Sequence, residues 1–569
     1  MIAAAQYLRG GERATRNGPD PVTCHEALSM PNLLLRRPVL SPWVLNLITA
    51  AYVMILCNAG FWRTLHGALG TSGDTLVFGA AVFGLTLFTF ACFTLPYVQR
   101  PVLALLILVA SAASFYQSRF GILIDRDMIQ NIMRTTPAES RQLITGDYVL
   151  YLGLTGVLPA MLVFLPRIAH PRRMQLLWRW PAGIVATLTL TLGLIYSDYA
   201  TIASTVREHR EILGSYQPGA SIGAVARYVR LQMRSSNLVV EDLGTDAAKG
   251  PRIEGADKPV LLVLFAGETA RAQNFGLNGY ARDTTPELAK RDVIAFTDTT
   301  SCGTATAVSI PCMFSPFTRS EYSETKFRGS ENLMDVLEHA GVKTVWWDNN
   351  TGSQNVADRI ETHTVEATLD PAACASGECT DAALLPIIQQ TANTMTEDTV
   401  LVLHMAGSHG PGYYQRYPDG FGAFQPACTT TNFRKCTTEE IVNAYDNSIL
   451  FTDHVLAQAI DMLAAQSRVI PAVVFLSDHG ESLEENGLYL HAAPRFMAPD
   501  EQTHVPFVMW LPPSYTAAMR IDTACVKAKT SAPTSQDNLF HTVLGMMDIT
   551  TKVHDPSLDL TAQCQGAGA

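Results

Sequence analysis

Lys258-Pro259-Val260-Leu261-Leu262-Val263-Leu264-Phe265-Ala266-Gly267-Glu268-Thr269-Ala270-Arg271 is a continuous apolar run, opened by proline and closed by glycine. A run of this length without polar alternation predicts a strand buried on both faces, as parallel strands of α/β proteins are. It gives way at once to a carboxylate, Glu268. Open α/β sheets place their sites at the carboxyl ends of such strands, so Glu268 is the first candidate site residue.

The same punctuation recurs downstream. Val342–Trp347 leads into Asp348-Asn349-Asn350, Thr399–His404 leads towards Gly407-Ser408-His409-Gly410-Pro411, and Ala472–Ser477 runs into Asp478-His479-Gly480-Glu481. Helical stretches lie between, for example about 438–466, and alternation of strand with helix predicts a doubly wound α/β domain. Glu268, Thr306, His409, Asp478, His479 and His491 then gather at one edge of the sheet. Carboxylate oxygens and imidazole nitrogens arriving from different strands fit zinc or a similar divalent ion. A capping Asp beside a structural His is the alternative for any one strand end; four strand ends in one domain weigh against it.

Thr306 belongs to a second informative stretch, Ser301-Cys302-Gly303-Thr304-Ala305-Thr306-Ala307-Val308-Ser309-Ile310-Pro311-Cys312-Met313-Phe314-Ser315. Two cysteines ten positions apart bracket a Gly-Thr-Ala-Thr turn. A disulfide between them would hold a threonine hydroxyl at a loop-to-helix junction, as a nucleophile is presented. A helix N-terminus also offers unpaired N–H groups and a positive dipole end to a phosphate. The alternative is a hydroxyl-rich turn that merely caps the helix.

Outside this region the chain changes character. At 569 residues it is too long for one domain, and 16% charged residues with a mean hydropathy of +0.12 place part of it in lipid. Residues 1–40 form a polar tail with Arg9, Arg13, Arg16, Arg36 and Arg37, followed by apolar runs at roughly 43–63, 75–98, 101–117, 148–166 and 181–198. Each approaches the about 20 residues that cross a bilayer as helix, which predicts five spans, the first a retained anchor and not a cleaved signal. Arg36, Arg37, Arg100, Arg167, Arg172, Arg173 and Arg179 fall on one side, the cytoplasmic side by the positive-inside rule. Five spans then carry everything after residue 199 outward, into the periplasm of a bacterium with an envelope. Eight of the 11 cysteines follow residue 300, mostly in close pairs, as an oxidising compartment favours. A net charge of −11 argues against a surface for nucleic acid.

Two connecting segments complete the reading. In the outward loop 118–147, Asn131, Thr135 and Glu139 recur every four residues and share a face if Asp127–Glu139 is one helix. That face is either a solvated polar surface or a surface for a lipid head group. Residues 199–258 predict two amphipathic helices, about 199–214 and 221–235, lying on the membrane before the catalytic domain at 259–569.

Gly-Glu-Thr-Ala-Arg (267–271), the Cys302–Ser315 stretch, Trp-Asp-Asn-Asn (347–350), His-Gly-Pro (409–411), Asn-Ala-Tyr-Asp-Asn (443–447) and Ser-Asp-His-Gly-Glu-Ser-Leu-Glu-Glu-Asn-Gly (477–487) together resemble the lipid A phosphoethanolamine transferases, including the mobile colistin-resistance enzymes. The resemblance covers roughly residues 40–555. It implies five transmembrane helices (41–199), a membrane-surface linker (200–258) and a periplasmic domain of alkaline phosphatase and sulfatase type. It implies zinc on Glu268, Thr306, Asp478 and His479, with Thr306 as nucleophile. His409 and His491 line the phosphoethanolamine pocket and offer a position for a second metal. Asn131, Thr135 and Glu139 match residues that contact lipid, and the implied disulfides are Cys302–Cys312, Cys374–Cys379 and Cys428–Cys436. Cys525 and Cys564 remain; they pair with each other or leave a free thiol.

Two positions depart from the family pattern: Gln354 stands where many members carry a phosphate-contacting lysine, and Ala305 where serine is frequent. The implied reaction takes phosphoethanolamine from phosphatidylethanolamine to lipid A in the inner membrane, by a monomer. A same-fold transferase acting on lipopolysaccharide core or a periplasmic glucan, or moving phosphoglycerol, is the rival; a hydrolase using water would need no membrane anchor.

Overall fold

The computed structural model describes residues 37–566, apart from 136, 236–237 and 376–377. Most of the tail predicted at 1–40 therefore lies outside the described residues.

The apolar runs become helices α1 (Pro42–Leu56), α2 (Ala59–Leu69), α3 (Ser72–Cys92) and α4 (Gln99–Phe120). The outward loop forms α5 (Arg126–Arg134) and α6 (Pro137–Leu143). Then come α7 (Gly146–Leu162), which contains a π-helical turn at Gly153–Val157, and α8 (Arg173–Ser197). Among the described residues three helices, α3, α4 and α8, are long and apolar enough to cross a membrane singly. The run at 43–63 is not one straight helix: α1 and α2 are bent by 67° at Asn58. Asn58 is buried, donates to the carbonyls of Val53 (3.0 Å) and Gln217 (2.8 Å), and accepts from the Gln217 N–H (2.7 Å). An amide that must be satisfied in an apolar setting finds its partners by opening the helix. α8 carries Leu177, Trp178, Val185, Leu190 and Leu192 exposed, an apolar surface that only lipid or another protein covers favourably.

The linker helices are α9 (Tyr199–Glu208), a short turn Glu211–Ser215, and α10 (Gly219–Ser235), so the stretch predicted at 199–214 is broken after Glu208. Residues 127–139 are likewise two helices. α5 stops at Arg134 and Pro137 opens α6, because proline lacks an N–H and biases the residue before it away from helix.

The C-terminal half is built on a seven-stranded sheet: β1 (Val260–Gly267), β2 (Val293–Phe296), β3 (Lys343–Asp348), β4 (Glu361–Thr364), β5 (Thr399–His404), β6 (Ile470–Ser477) and β7 (Phe507–Trp510), in spatial order β2-β7-β6-β1-β5-β3-β4. β6, β1, β5, β3 and β4 are mutually parallel, and β7 is antiparallel to both neighbours. Along β1 the side chains alternate between two cores. Val260, Leu262, Leu264 and Ala266 enter one layer with Phe314 and Phe540, whereas Leu261, Val263 and Phe265 enter the other with Tyr445 and Ile449 of α12 (Thr438–Ala464) once α11 (Thr306–Met313) has been passed. Each such fully buried aliphatic or aromatic side chain contributes about 1.5–3 kcal/mol. The register Ser477 to Gly267 and Ala266 to His404 brings the strand ends to one edge. That edge faces the membrane-side helices: α5 packs against both α10 and α11. Across the same seam Arg119 donates to the Asn432 side-chain oxygen (3.1 Å), and Asn432 donates to Asp147 (2.9 Å).

Candidate functional site

Glu268 follows β1 and Asp478 with His479 follows β6; one ligand atom from each lies within 4.8 Å of the others. All three are buried. Two fully buried carboxylates this close repel one another unless a cation or proton joins them. Asp478 is oriented through Oδ1, which accepts from the N–H groups of Thr269 (3.1 Å) and His479 (2.7 Å); among the described residues its buried Oδ2 accepts no hydrogen bond. The His479 Nδ1–H donates to the Gly480 carbonyl (2.9 Å), leaving the Nε2 lone pair directed at the carboxylates. Burial pushes the His479 pKa down, so the imidazole stays neutral and able to ligate. An oriented imidazole, an unpartnered carboxylate oxygen and a second carboxylate are a donor set that fits a divalent cation.

Thr306 is the first residue of α11. Its Oγ1 donates to Glu268 Oε2 (3.0 Å) and lies 3.3 Å from His479 Nε2. The helix is capped at Ala305 without any side-chain bond, so the Thr306 hydroxyl does not serve as a cap and is turned into the site. Cys302 is bonded to Cys312 across this turn. Gln536, which follows the two-residue strand Thr534–Ser535 and carries no sequence signal, ties the turn to the site: it accepts from the Cys302 N–H (2.7 Å) and donates to the carbonyls of Ser477 (2.8 Å) and Asp478 (2.7 Å). The other disulfides are Cys374–Cys379, Cys428–Cys436 and Cys525–Cys564, and Cys57 and Cys92 are free thiols.

His491 stands against His479 with ring centroids 4.6 Å apart, and His409 against His491 at 5.0 Å. His491 Nδ1 is 3.0 Å from Glu481 Oε2, and Glu481 Oε1 accepts from the Tyr413 hydroxyl (2.7 Å). Glu481, buried and three residues past Asp478, thereby fixes the His491 ring; only its place in the Ser-Asp-His-Gly-Glu run hints at this. Burial, then the neighbouring His491 and Arg416, holds His409 well below the ordinary imidazole range. Asp381 accepts from the N–H groups of Ala406 (2.8 Å) and Gly407 (2.8 Å) and shapes the loop that carries His409. Asn350 donates to Glu268 Oε2 (2.6 Å) and to the Met405 carbonyl (2.8 Å).

Gly407 has φ of 52°, and a Cβ there would meet the Glu268 carbonyl oxygen at 2.3 Å. Gly407→Ala is therefore expected to cost about 1–2 kcal/mol in backbone conformation alone, and more as Glu268 is displaced. Thermal unfolding should show a lowered midpoint, and turnover should fall further than the lost stability explains. An unchanged midpoint would contradict the contact.

Two cavities meet here. A polar pocket is lined by Arg134, Thr306, Asn350, Gln354, His409 and His491, among others. An apolar cavity of about 540 Å³ runs between the membrane-side helices, lined by residues such as Tyr116, Phe120, Ile129 and Tyr148. Asn131, Thr135, His409 and His491 line both. Of the outer-loop residues singled out above, Asn131 and Thr135 thus reach the site; the side chain of Glu139 lies outside the described residues. Gln354 is buried and accepts a hydrogen bond from Arg134.

Residues 261–549 match the family described as Sulfatase, and residues 82–233 match the family described as Phosphoethanolamine transferase EptA/EptB. Over 548 residues the chain is 39% identical to phosphoethanolamine transferase EptA of Escherichia coli K12, covering 94% of this chain and 98% of that one. The chain belongs to the phosphoethanolamine transferases. It is also 33% identical over 536 residues to the phosphatidylethanolamine transferase Mcr-1 of Escherichia coli, across 91% and 97% of the two chains. The transferase superposes on the integral membrane lipooligosaccharide phosphoethanolamine transferase A of Neisseria meningitidis with a TM-score of 0.88 at 34% identity, covering 93% of this chain and 99% of that one. That match spans both the membrane helices and the sulfatase-type sheet of the transferase.

Proposed function

We propose that this transferase moves phosphoethanolamine from phosphatidylethanolamine to a phosphate of lipid A, through a phosphothreonine formed on Thr306. The observation that carries the reading is the junction of the two cavities. An apolar space of about 540 Å³ suits acyl chains, and it opens through Asn131, Thr135, His409 and His491 onto the pocket of a buried threonine hydroxyl. The relatives named above supply the donor and the acceptor class.

Glu268, Thr306, Asp478 and His479 would hold one zinc, which when bound lowers the pKa of the Thr306 hydroxyl and offsets charge at phosphorus. Thr306 Oγ1 attacks phosphorus in line; the Oγ1–P bond forms as the bond to the diacylglycerol oxygen breaks. The Thr306 proton leaves along its hydrogen bond to Glu268 Oε2. His409 and His491 flank the leaving oxygen and relay a proton to it from solvent, Glu481 keeping the His491 ring in place, and the lipid A phosphate releases the balancing proton in the second half-reaction. In the second half-reaction a lipid A phosphate oxygen displaces Thr306, which regains its proton. The same two histidines are the position for any second metal. Capping a phosphate with an ethanolammonium group lowers the negative charge of the outer leaflet, so cationic peptides such as polymyxins bind less well.

In this reading the chain has a cytoplasmic tail (1–40), five inner-membrane spans (41–199) with the bent α1–α2 segment as the first and α7 as the fourth, a surface linker (200–258) and a periplasmic catalytic domain (259–569), and it works as a monomer. The exposed apolar face of α8 supports the membrane placement.

Mass spectrometry of lipid A from cells expressing the chain tests the proposal. Lipid A should gain one phosphoethanolamine mass. Unchanged lipid A with phosphatidylethanolamine still consumed would overturn the acceptor and turn attention to lipopolysaccharide core or glucan.

A further inference from the structure

Resting on that reading, we infer that Arg134, at the end of the membrane-side helix α5, is the cation that grips the substrate phosphate in this chain. Arg134 lines the polar pocket with Thr306, Asn350, His409 and His491. Among the described residues lining it, Arg134 is the one that is cationic at neutral pH whatever the state of the histidines.

The partners of Arg134 are neutral. Nη1 donates to Gln354 Oε1 and Nη2 to Asn355 Oδ1, the latter at 3.0 Å. Among the described residues no carboxylate lies within 4.0 Å of its guanidinium. A half-buried charge held by two amide oxygens is positioned without being neutralised, which is the condition for receiving an anion. Gln354 and Asn355 both adopt left-handed backbone, with φ of 53° and 74°, and both turn their side-chain oxygens to this one guanidinium. Two consecutive non-glycine residues in that region are held there against a conformational cost, and the cradle they form accounts for it. The Gln354 amide is oriented by its own Nε2, which donates to the Thr351 carbonyl (3.1 Å) and hydroxyl (3.2 Å).

The site needs such a charge. Glu268 and Asp478 repel an incoming phosphodiester, and a planar guanidinium matches two of its oxygens. Gln354, on the catalytic domain, is the seat of the cation and not the cation itself; a lysine there would face Arg134 and displace it. The phosphate grip is thus contributed from the membrane side of the seam and the nucleophile from the other.

The test uses full-length protein in detergent with zinc and a phosphatidylethanolamine labelled on an acyl chain, following release of labelled diacylglycerol. Arg134→Gln should lower kcat/KM about 10–100-fold, as loss of a charge-assisted hydrogen bond to phosphate implies, mainly through KM. Arg134→Gln combined with Gln354→Lys should recover most of that loss, because it returns a cation to the pocket from the opposite wall. In a Thr306→Ala background, calorimetry should show free phosphoethanolamine bound more weakly after Arg134→Gln, with a smaller dependence on salt. Arg134→Gln turning over as wild type, or a folded double variant no better than the single one, would overturn the inference alone. Wild type that releases no diacylglycerol would overturn the transferase reading and this inference with it.

Discussion

Thr306→Ala should reduce phosphoethanolamine transfer by about 10⁴-fold or more, the scale on which removal of a covalent nucleophile acts. Thr306 is nearly buried, and its hydroxyl has no capping role, so its loss should leave the thermal midpoint close to wild type. Thr306→Ser keeps a hydroxyl at the start of α11, with the hydrogen bond to Glu268 still within reach, and should retain measurable transfer. The contrast is the test. Wild-type protein quenched during turnover should carry one phosphoethanolamine on the peptide spanning 302–315, and Thr306→Ala should carry none. An active alanine variant, or a label on another residue, would remove Thr306 from the chemistry.

Removing metal should have two effects with one cause. Glu268 and Asp478 are both buried, with ligand atoms within 4.8 Å of one another and of His479. Without a cation their mutual repulsion acts against the folded state, so a chelator should abolish transfer and also lower the thermal midpoint. At metal concentrations about 1,000 times the dissociation constant the linkage amounts to about 4 kcal/mol, enough to read as several degrees. Asp478→Asn keeps the shape of the side chain and removes one charge. Its transfer should be lost, yet its midpoint should hardly respond to the chelator, since the repulsion that metal relieves has already been removed. A midpoint equally sensitive in wild type and Asp478→Asn would show that these carboxylates do not share an ion.

Particular residues show what a sequence of this kind reveals. Val260–Gly267 is legible because a strand buried on both faces has nowhere to put a polar residue, and the carboxylate behind it marks the sheet edge. Asp478 and His479 are legible for the same reason. The membrane half is less so: Asn58 in the first apolar run and Pro137 in the outer loop are visible, but what each does to the helix depends on partners elsewhere, such as Gln217. Gln536 is hidden because its bond to Cys302 crosses 234 positions, and Asp381 because its partners Ala406 and Gly407 lie 25 and 26 positions on; periodicity carries no information about either. The strands Val293–Phe296, Glu361–Thr364 and Phe507–Trp510, four residues each, are too short to stand out from loop.

The hydrogen bond from Arg134 to Gln354 joins the two halves of the chain through a pair of residues 220 positions apart. It bears on how such proteins exchange parts. A hybrid gene that joins this membrane half to the catalytic half of a relative with lysine at the Gln354 position would bring guanidinium against ammonium in one cleft. The reciprocal hybrid, if its membrane half lacks an arginine at the matching position, would bring no cation at all. A crossover before residue 134 or after residue 354 leaves the pair intact, whereas one between the two separates it. The breakpoints that yield working chimaeras should therefore avoid that interval, unless both residues are exchanged together.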